Sequence, residues 1–162
     1  MLHTSIAHAI NKQIIVELSA QMTYLSMAAW LEAKSLKGFA KWFKKQADEE
    51  HEHAMKFYHF VLERGGSVAL TDIPVAQSVW KTPLDIAEGG LAAEQQNTAN
   101  INSIFELARK HGDYATEVFL HWFIEEQVEE EALMTELIDR VTLTKNHDPA
   151  LLILDKELGS RE

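Results

Sequence analysis

Glu49-Glu50-His51-Glu52-His53 is matched 77 residues later by Glu126-Gln127-Val128-Glu129-Glu130. At that shift Glu50 corresponds to Gln127, and His53 corresponds to Glu130. A further carboxylate stands 33 residues before each stretch, Glu17 before Glu50 and Glu94 before Gln127. A spacing of three places Glu50 and His53 on one face of a helix, and does the same for Gln127 and Glu130. The repeated unit is therefore a helical hairpin with acids at matched depth.

Working outward from these stretches, four long helical patterns and one short one are expected, over residues 5–34, 39–64, 83–111, 114–144 and 149–158. Thr4 or Ser5 is the candidate cap of the first. Ser35-Leu36-Lys37-Gly38 breaks the pattern, Gly65-Gly66 ends the second helix, and Pro83 suits the first turn of the third. Asp148-Pro149 reads as cap and first-turn proline of the fifth. The stretch from Ser67 to Thr82 is too long for a tight turn, so it should cross the length of the bundle. Two hairpins joined by one long connection give an all-α four-helix bundle with a single crossover and a short C-terminal helix.

Stepping in threes and fours along each helix exposes its inward seam. The four seams are Ile10-Ile14-Glu17-Gln21-Tyr24-Ala28, Phe39-Phe43-Gln46-Glu50-His53-Phe57-Phe60, Ala87-Leu91-Glu94-Thr98-Ile101-Phe105 and Leu120-Phe123-Gln127-Glu130-Met134-Leu137-Val141. Each is apolar at its ends and polar in its middle. Glu17 and Glu94 lie about as far before their turns as His53 and Glu130 lie after them, so antiparallel hairpins bring all four level.

Burying even one unpaired charge costs roughly several kcal/mol. No Lys or Arg occupies a seam position, so protons or metal ions must neutralise Glu17, Glu50, Glu94 and Glu130. Two divalent ions would balance four carboxylates. Oxygen ligands with one imidazole suit iron or manganese, with zinc a competitor, whereas calcium and magnesium rarely recruit histidine. A redox metal with open positions suggests chemistry with O2 or peroxide, and affinity should fall in acid.

The 162 residues can bury a substantial core, and the near absence of proline (three) agrees with helices throughout. With no cysteine, thiolate metal sites and disulfides are excluded. A net charge of −10 without a basic stripe opposes nucleic-acid binding. No hydrophobic run of membrane-span length and no signal core is read, so a cytoplasmic location is expected.

The two motifs, with Glu17 and Glu94, resemble those of ferritins, over essentially the whole chain including Leu154-Asp155-Lys156-Glu157-Leu158. A symmetric ferritin-like site has Glu-x-x-His on two helices. Here Gln127-x-x-Glu130 replaces one copy, which resembles bacterial non-haem ferritin. The resemblance implies that Glu17, Glu50 and His53 hold a first iron, with Glu50 bridging to a second held by Glu94 and Glu130. Gln127 would stand beside the pair. Glu49, Glu126 and Glu129 match a third iron site, although such a charge run also suits a solvated acidic face. Tyr24 matches a tyrosine that supplies a hydrogen bond or an electron to the pair. His51 falls where bacterioferritins place a haem ligand, yet an outward position is equally natural for it and haem is not expected. Asp113 and Glu117 are either pore-lining acids or acids complementing a helix N-terminus.

The implied function is iron storage with ferroxidase activity on Fe(II), using O2 or peroxide, in a cage of twenty-four copies whose last helices pack around fourfold axes. Two other readings remain: a soluble dimetal oxidase or peroxidase without storage, and a non-catalytic helical interaction bundle.

Overall fold

The computed structural model describes residues 2–74, 80–145 and 147–160. Five helices are present, α1 (Thr4–Ala33), α2 (Lys37–Glu63), α3 (Pro83–His111), α4 (Tyr114–Leu143) and α5 (Asp148–Gly159), and the described residues contain no strand. Thr82 caps α3 in a reciprocal box with Asp85, and Pro83 occupies the first turn where a missing N–H costs nothing. Gly65, at φ +70°, ends α2 in the left-handed conformation that a side chain would disfavour.

Two caps differ from expectation. His3, not Thr4 or Ser5, caps α1: its Nδ1 accepts the Ser5 N–H at 3.3 Å, and its ring stacks on His111 with centroids 3.8 Å apart. A tertiary contact with the end of α3 thus selects the cap. In α5 the helix begins one residue early, because the His147 carbonyl accepts the first helical bond from Leu151. Asp148 is consequently the first helical residue rather than the cap.

The register follows from side-chain contacts across the bundle. Gln13 and Glu17 meet Asn97, while Tyr24 meets Glu94, so α1 runs antiparallel to α3. Gln46 meets Glu130 and Phe57 stacks on Phe123 at 4.0 Å, so α2 runs antiparallel to α4. The chain must therefore return along the bundle between α2 and α3. Asn11 grips that segment at Ser67 and Ala69, and Ser19 donates to the Pro74 carbonyl at 2.9 Å. Those anchors lie about 12 Å apart along α1. Residues 75–79 of the expected crossover lie outside the described residues.

Apolar packing falls into two bodies. One gathers Tyr24, Leu31, Phe39, Phe43, Ile86 and Met134; the other gathers Ile6, Ile14, Phe57, Ile101, Leu120 and Phe123. Between them lies a belt of polar side chains. The 30-residue α1 is, by length and composition, apolar enough to cross a membrane, which corrects the expectation that no such run exists. Its inner face is the reason for that composition. Ile6, Ile10, Ile14, Tyr24, Ala28 and Leu31 are buried in the bundle, together with Gln13 and Glu17.

The short α5 closes one end by docking on the start of α2. Leu36 provides no side-chain cap there; instead the Phe39 N–H donates to Asp155 Oδ1 of α5 at 2.9 Å. Gly38 permits the approach, since a Cβ at that position would lie 1.6 Å from the Asp155 carbonyl oxygen. Asp155→Ala should lose a helix cap, about 1 kcal/mol. Gly38→Ala forces two backbones apart and should cost more, about 1–3 kcal/mol. Calorimetric midpoints of the two variants check this order, and a milder effect of Gly38→Ala would contradict the docking described.

Candidate metal centre

The belt between the two apolar bodies holds the acids of the repeated stretches. Glu17, Glu50, Glu94 and Glu130 are all buried, as is His53. Among the described residues, Glu17, Glu50 and His53 each offer a ligand atom within 4.8 Å of the others. Glu94 and Glu130 are not part of that set. Tyr24 OH donates to Glu94 Oε1, and Gln127 Nε2 donates to Glu94 Oε2 at 3.1 Å. Glu130 Oε2 accepts from Gln46 Nε2 at 2.7 Å. Glu94 and Glu130 are therefore held by neutral donors, and among the described residues neither is held by a Lys or Arg.

Glu17 is held from two sides. Gln13 Nε2 donates to its Oε1 at 2.7 Å and Asn97 Nδ2 to its Oε2 at 3.2 Å, while Gln13 also bonds Asn97. On α2, Glu50 Oε2 and His53 Nδ1 face each other at 3.5 Å, and both are buried without a hydrogen-bond partner. Buried polar atoms almost always find partners. These two orphaned lone-pair donors, beside the carboxylate of Glu17, form a donor set that fits a cation.

Electrostatics points the same way. Burial raises the pKa of Glu17, against the lowering effect of its bonds to Glu50, Gln13 and Asn97. Glu50 stands well above the ordinary carboxylate range, through burial and then the charges of Glu17 and Glu94. Burial also raises Glu94 despite the bonds from Tyr24 and Gln127. Glu130 is pushed up to about 8 by burial and by Glu94, Glu49 and Glu126. Burial, with Lys56 nearby, lowers His53 to about 4, so near neutral pH its imidazole is uncharged and able to ligate. Without a cation the belt holds protons; a cation would replace them.

The remaining candidates fall around this set. Gln127 does not join the ligand cluster: its Nε2 also donates to the Glu94 carbonyl at 3.2 Å, so the amide braces Glu94. Glu126 is half-buried and lies 3.8 Å from His53 Nε2, on the side away from Glu50. Glu49 is half-buried and Glu129 exposed, and the charges of both bear on Glu126. Glu126 thus flanks His53, with Glu49 and Glu129 near enough for their charges to act on it. His51 is exposed. Asp113 caps α4 through the Thr116 N–H and clasps Arg64 through both carboxylate oxygens, at 3.0 and 3.1 Å. Glu117 lies in the first turn of that helix.

Gln13 and Asn97 escaped the sequence reading. The signal was Gln13 lying one turn before Glu17, but the repeat does not echo it: 77 residues on stands Gly90, and Asn97 answers to Ala20. Trp122 sets its ring edge-on to His53 at 5.4 Å, and Lys56 Nζ lies 3.9 Å from that ring's centroid.

Residues 7–144 match the ferritin-like domain family model. The bacterial non-heme ferritin of Staphylococcus saprophyticus is 37% identical over 161 residues, covering 99% of this chain and 96% of the relative. That of Staphylococcus aureus strain MRSA252 is 35% identical, covering 99% and 97%. A solved structure described as a novel open pore ferritin, from the hyperthermophilic archaeon Archaeoglobus fulgidus, superposes with a TM-score of 0.98 at 39% identity over the whole of both chains. A humanized archaeal ferritin superposes equally well at 40% identity, covering 100% of this chain and 99% of that one. The fold, the buried Glu/His cluster and these likenesses agree, and the chain belongs to the ferritin family, whose membership supports iron binding and storage.

Proposed function

We propose that this protein takes up Fe(II), oxidises it at the belt, and stores the Fe(III) product as mineral inside a shell of identical subunits, twenty-four by the family's pattern, in the cytoplasm. The observation that carries this reading is the pair of orphaned atoms, Glu50 Oε2 and His53 Nδ1, with Glu17 beside them. An interaction bundle would have no use for a buried acceptor pair left without partners.

In this reading Fe(II) is the substrate and the residues have separate tasks. Glu17, Glu50 and His53 hold one ion, with Gln13 and Asn97 fixing Glu17 in place. Glu50 is shared with a second ion, held also by Glu94 and Glu130. Tyr24 and Gln127 restrain Glu94. Oxidising two Fe(II) releases two electrons, which with two protons convert O2 to H2O2; the acids that lose protons on metal binding stand where those protons are needed. Glu49, Glu126 and Glu129 form a path or third iron position on the outer flank of His53. A dimetal enzyme without storage would share the belt but would not retain mineral.

Removing a ligand of the first ion tests the assignment. Glu50→Ala or His53→Ala should slow the initial aerobic oxidation of Fe(II) by at least about tenfold, about 1.4 kcal/mol in barrier. Stopped-flow absorbance on the assembled protein reads this, and an unchanged initial rate would place the chemistry elsewhere.

The titration of the belt gives a second test. Glu130 is protonated in the folded state up to about pH 8, whereas an unfolded glutamate ionises near 4.5. The folded state therefore binds more protons over that window, and this contribution to stability falls as pH rises. His53, lowered to about 4 from 6.5, works in the opposite sense only below about pH 6.5. Between pH 6.5 and 8 the metal-free protein should lose thermal stability, and Glu130→Gln should flatten the slope. Added Zn(II) should raise the midpoint most at the upper end of this range. A metal-free midpoint that rises with pH equally in both proteins would contradict the account.

A further inference from the structure

Gln46 has no part in the ligand set, yet it carries an unsatisfied atom of the belt. It lies on α2 one turn before Glu50 and is 1% exposed. Its Nε2 donates to Glu130 Oε2 at 2.7 Å, and its carbonyl oxygen, Oε1, is buried without a partner. The orientation of the amide, nitrogen towards Glu130, is the one that an ionised Glu130 requires. Glu130 can offer a proton only from an oxygen that is protonated, whereas the amide nitrogen is always a donor. A charge-assisted bond to the Glu130 carboxylate is the stronger choice once that group ionises.

A buried carbonyl left unsatisfied is destabilising, because it has lost its water and gained no donor. Replacing the amide by an apolar side chain of the same length would remove that penalty, so a packing role alone does not account for a glutamine here. In a belt whose protons have given way to cations, its neighbours do not satisfy it either. Phe43, one turn away on the same helix, is apolar, and the nearest belt acids, Glu50 and Glu130, are themselves acceptors when ionised. In that loaded state the partner has to come with the ion, and a water on the ion brings an O–H.

We propose that Gln46 is a positioning residue for the second metal ion. Nε2 restrains one oxygen of Glu130, leaving the other for the ion, and Oε1 accepts a hydrogen bond from a water carried by that ion. Nε2 and Oε1 share one carbon, so the carbonyl lies beside the Glu130 carboxylate. A water on the ion is the group that this placement would meet. The inference rests on the reading of the belt as a two-ion site.

Gln46→Met tests it, because methionine matches the length and flexibility of glutamine without either polar atom. The experiment is a Co(II) titration of the assembled protein, followed by visible absorption. Two binding steps in the unaltered protein establish the site itself; their absence would overturn the two-ion reading and, with it, the role of Gln46. In the variant the first step should be unchanged and the second weakened by about 10–100-fold, as is usual when a partner of a metal ligand is removed. Equal weakening of both steps would mean a general disturbance of the bundle, and no weakening would mean packing alone; either overturns the proposal. A spectroscopic arm is independent of affinity. With glutamine carbonyls isotopically labelled, the infrared difference between the unaltered protein and Gln46→Met isolates the Gln46 C=O stretch. That band should move to lower frequency when Co(II) is added beyond one ion per subunit. A stationary band would show that Oε1 gains no partner.

Discussion

Four carboxylates buried at one level of an apolar bundle, with no basic side chain among them, set the terms for everything else in this structure. Ionised together they could not be held: each loses its hydration, and each repels the others through a poorly screening interior. The protein meets this with neutral donors, namely Gln13 and Asn97 on Glu17, Tyr24 and Gln127 on Glu94, and Gln46 on Glu130. Neutral donors orient an acid without cancelling its charge. The remaining neutralisation falls to protons, which bound cations would replace. Lys or Arg in the belt would have paired with the acids and competed with a cation for them.

The scaffold can carry this strain because it is divided. Apolar bodies above and below the belt supply the packing, and the short turns and the clasped crossover fix which residues face one another. The duplicated architecture then places two hairpins at the same depth, while the individual residues depart from symmetry. His53 answers to Glu130, and Tyr24 answers to Ile101. One half thus offers an imidazole together with orphaned ligand atoms, and the other offers acids that are tied to donors. Two ions bound in such a belt would not be equivalent, which suits a reaction that must bind a pair and then release it.

The repeat made the bundle and the belt readable from the chain itself. Glu17, Glu50 and His53 are answered at one offset by Glu94, Gln127 and Glu130, and the seam around them alternates between apolar ends and a polar middle. What the repeat does not copy was harder to see. Gln13 and Asn97 have Gly90 and Ala20 at the matching positions, so a reading based on recurrence passed over them. Contacts between distant segments were invisible for a different reason: nothing local marks Asp155 as the residue that caps α2, 116 residues away in sequence, or marks His3 as the cap that His111 selects. Helix α1 shows the converse limit. Its composition alone would also suit a membrane, and only its packing reveals a core helix with buried Gln13 and Glu17.

The measurement that bears most directly on the account is the iron retained per subunit after aerobic loading with Fe(II), read on the size-exclusion peak of the assembled protein. The account predicts retention far beyond the two or three ions that the belt and its flank could ligate, on a particle of cage size. Retention of only two or three ions per subunit would contradict storage and leave a dimetal enzyme; retention of none would mean that the belt is structural and that its orphaned atoms have another cause.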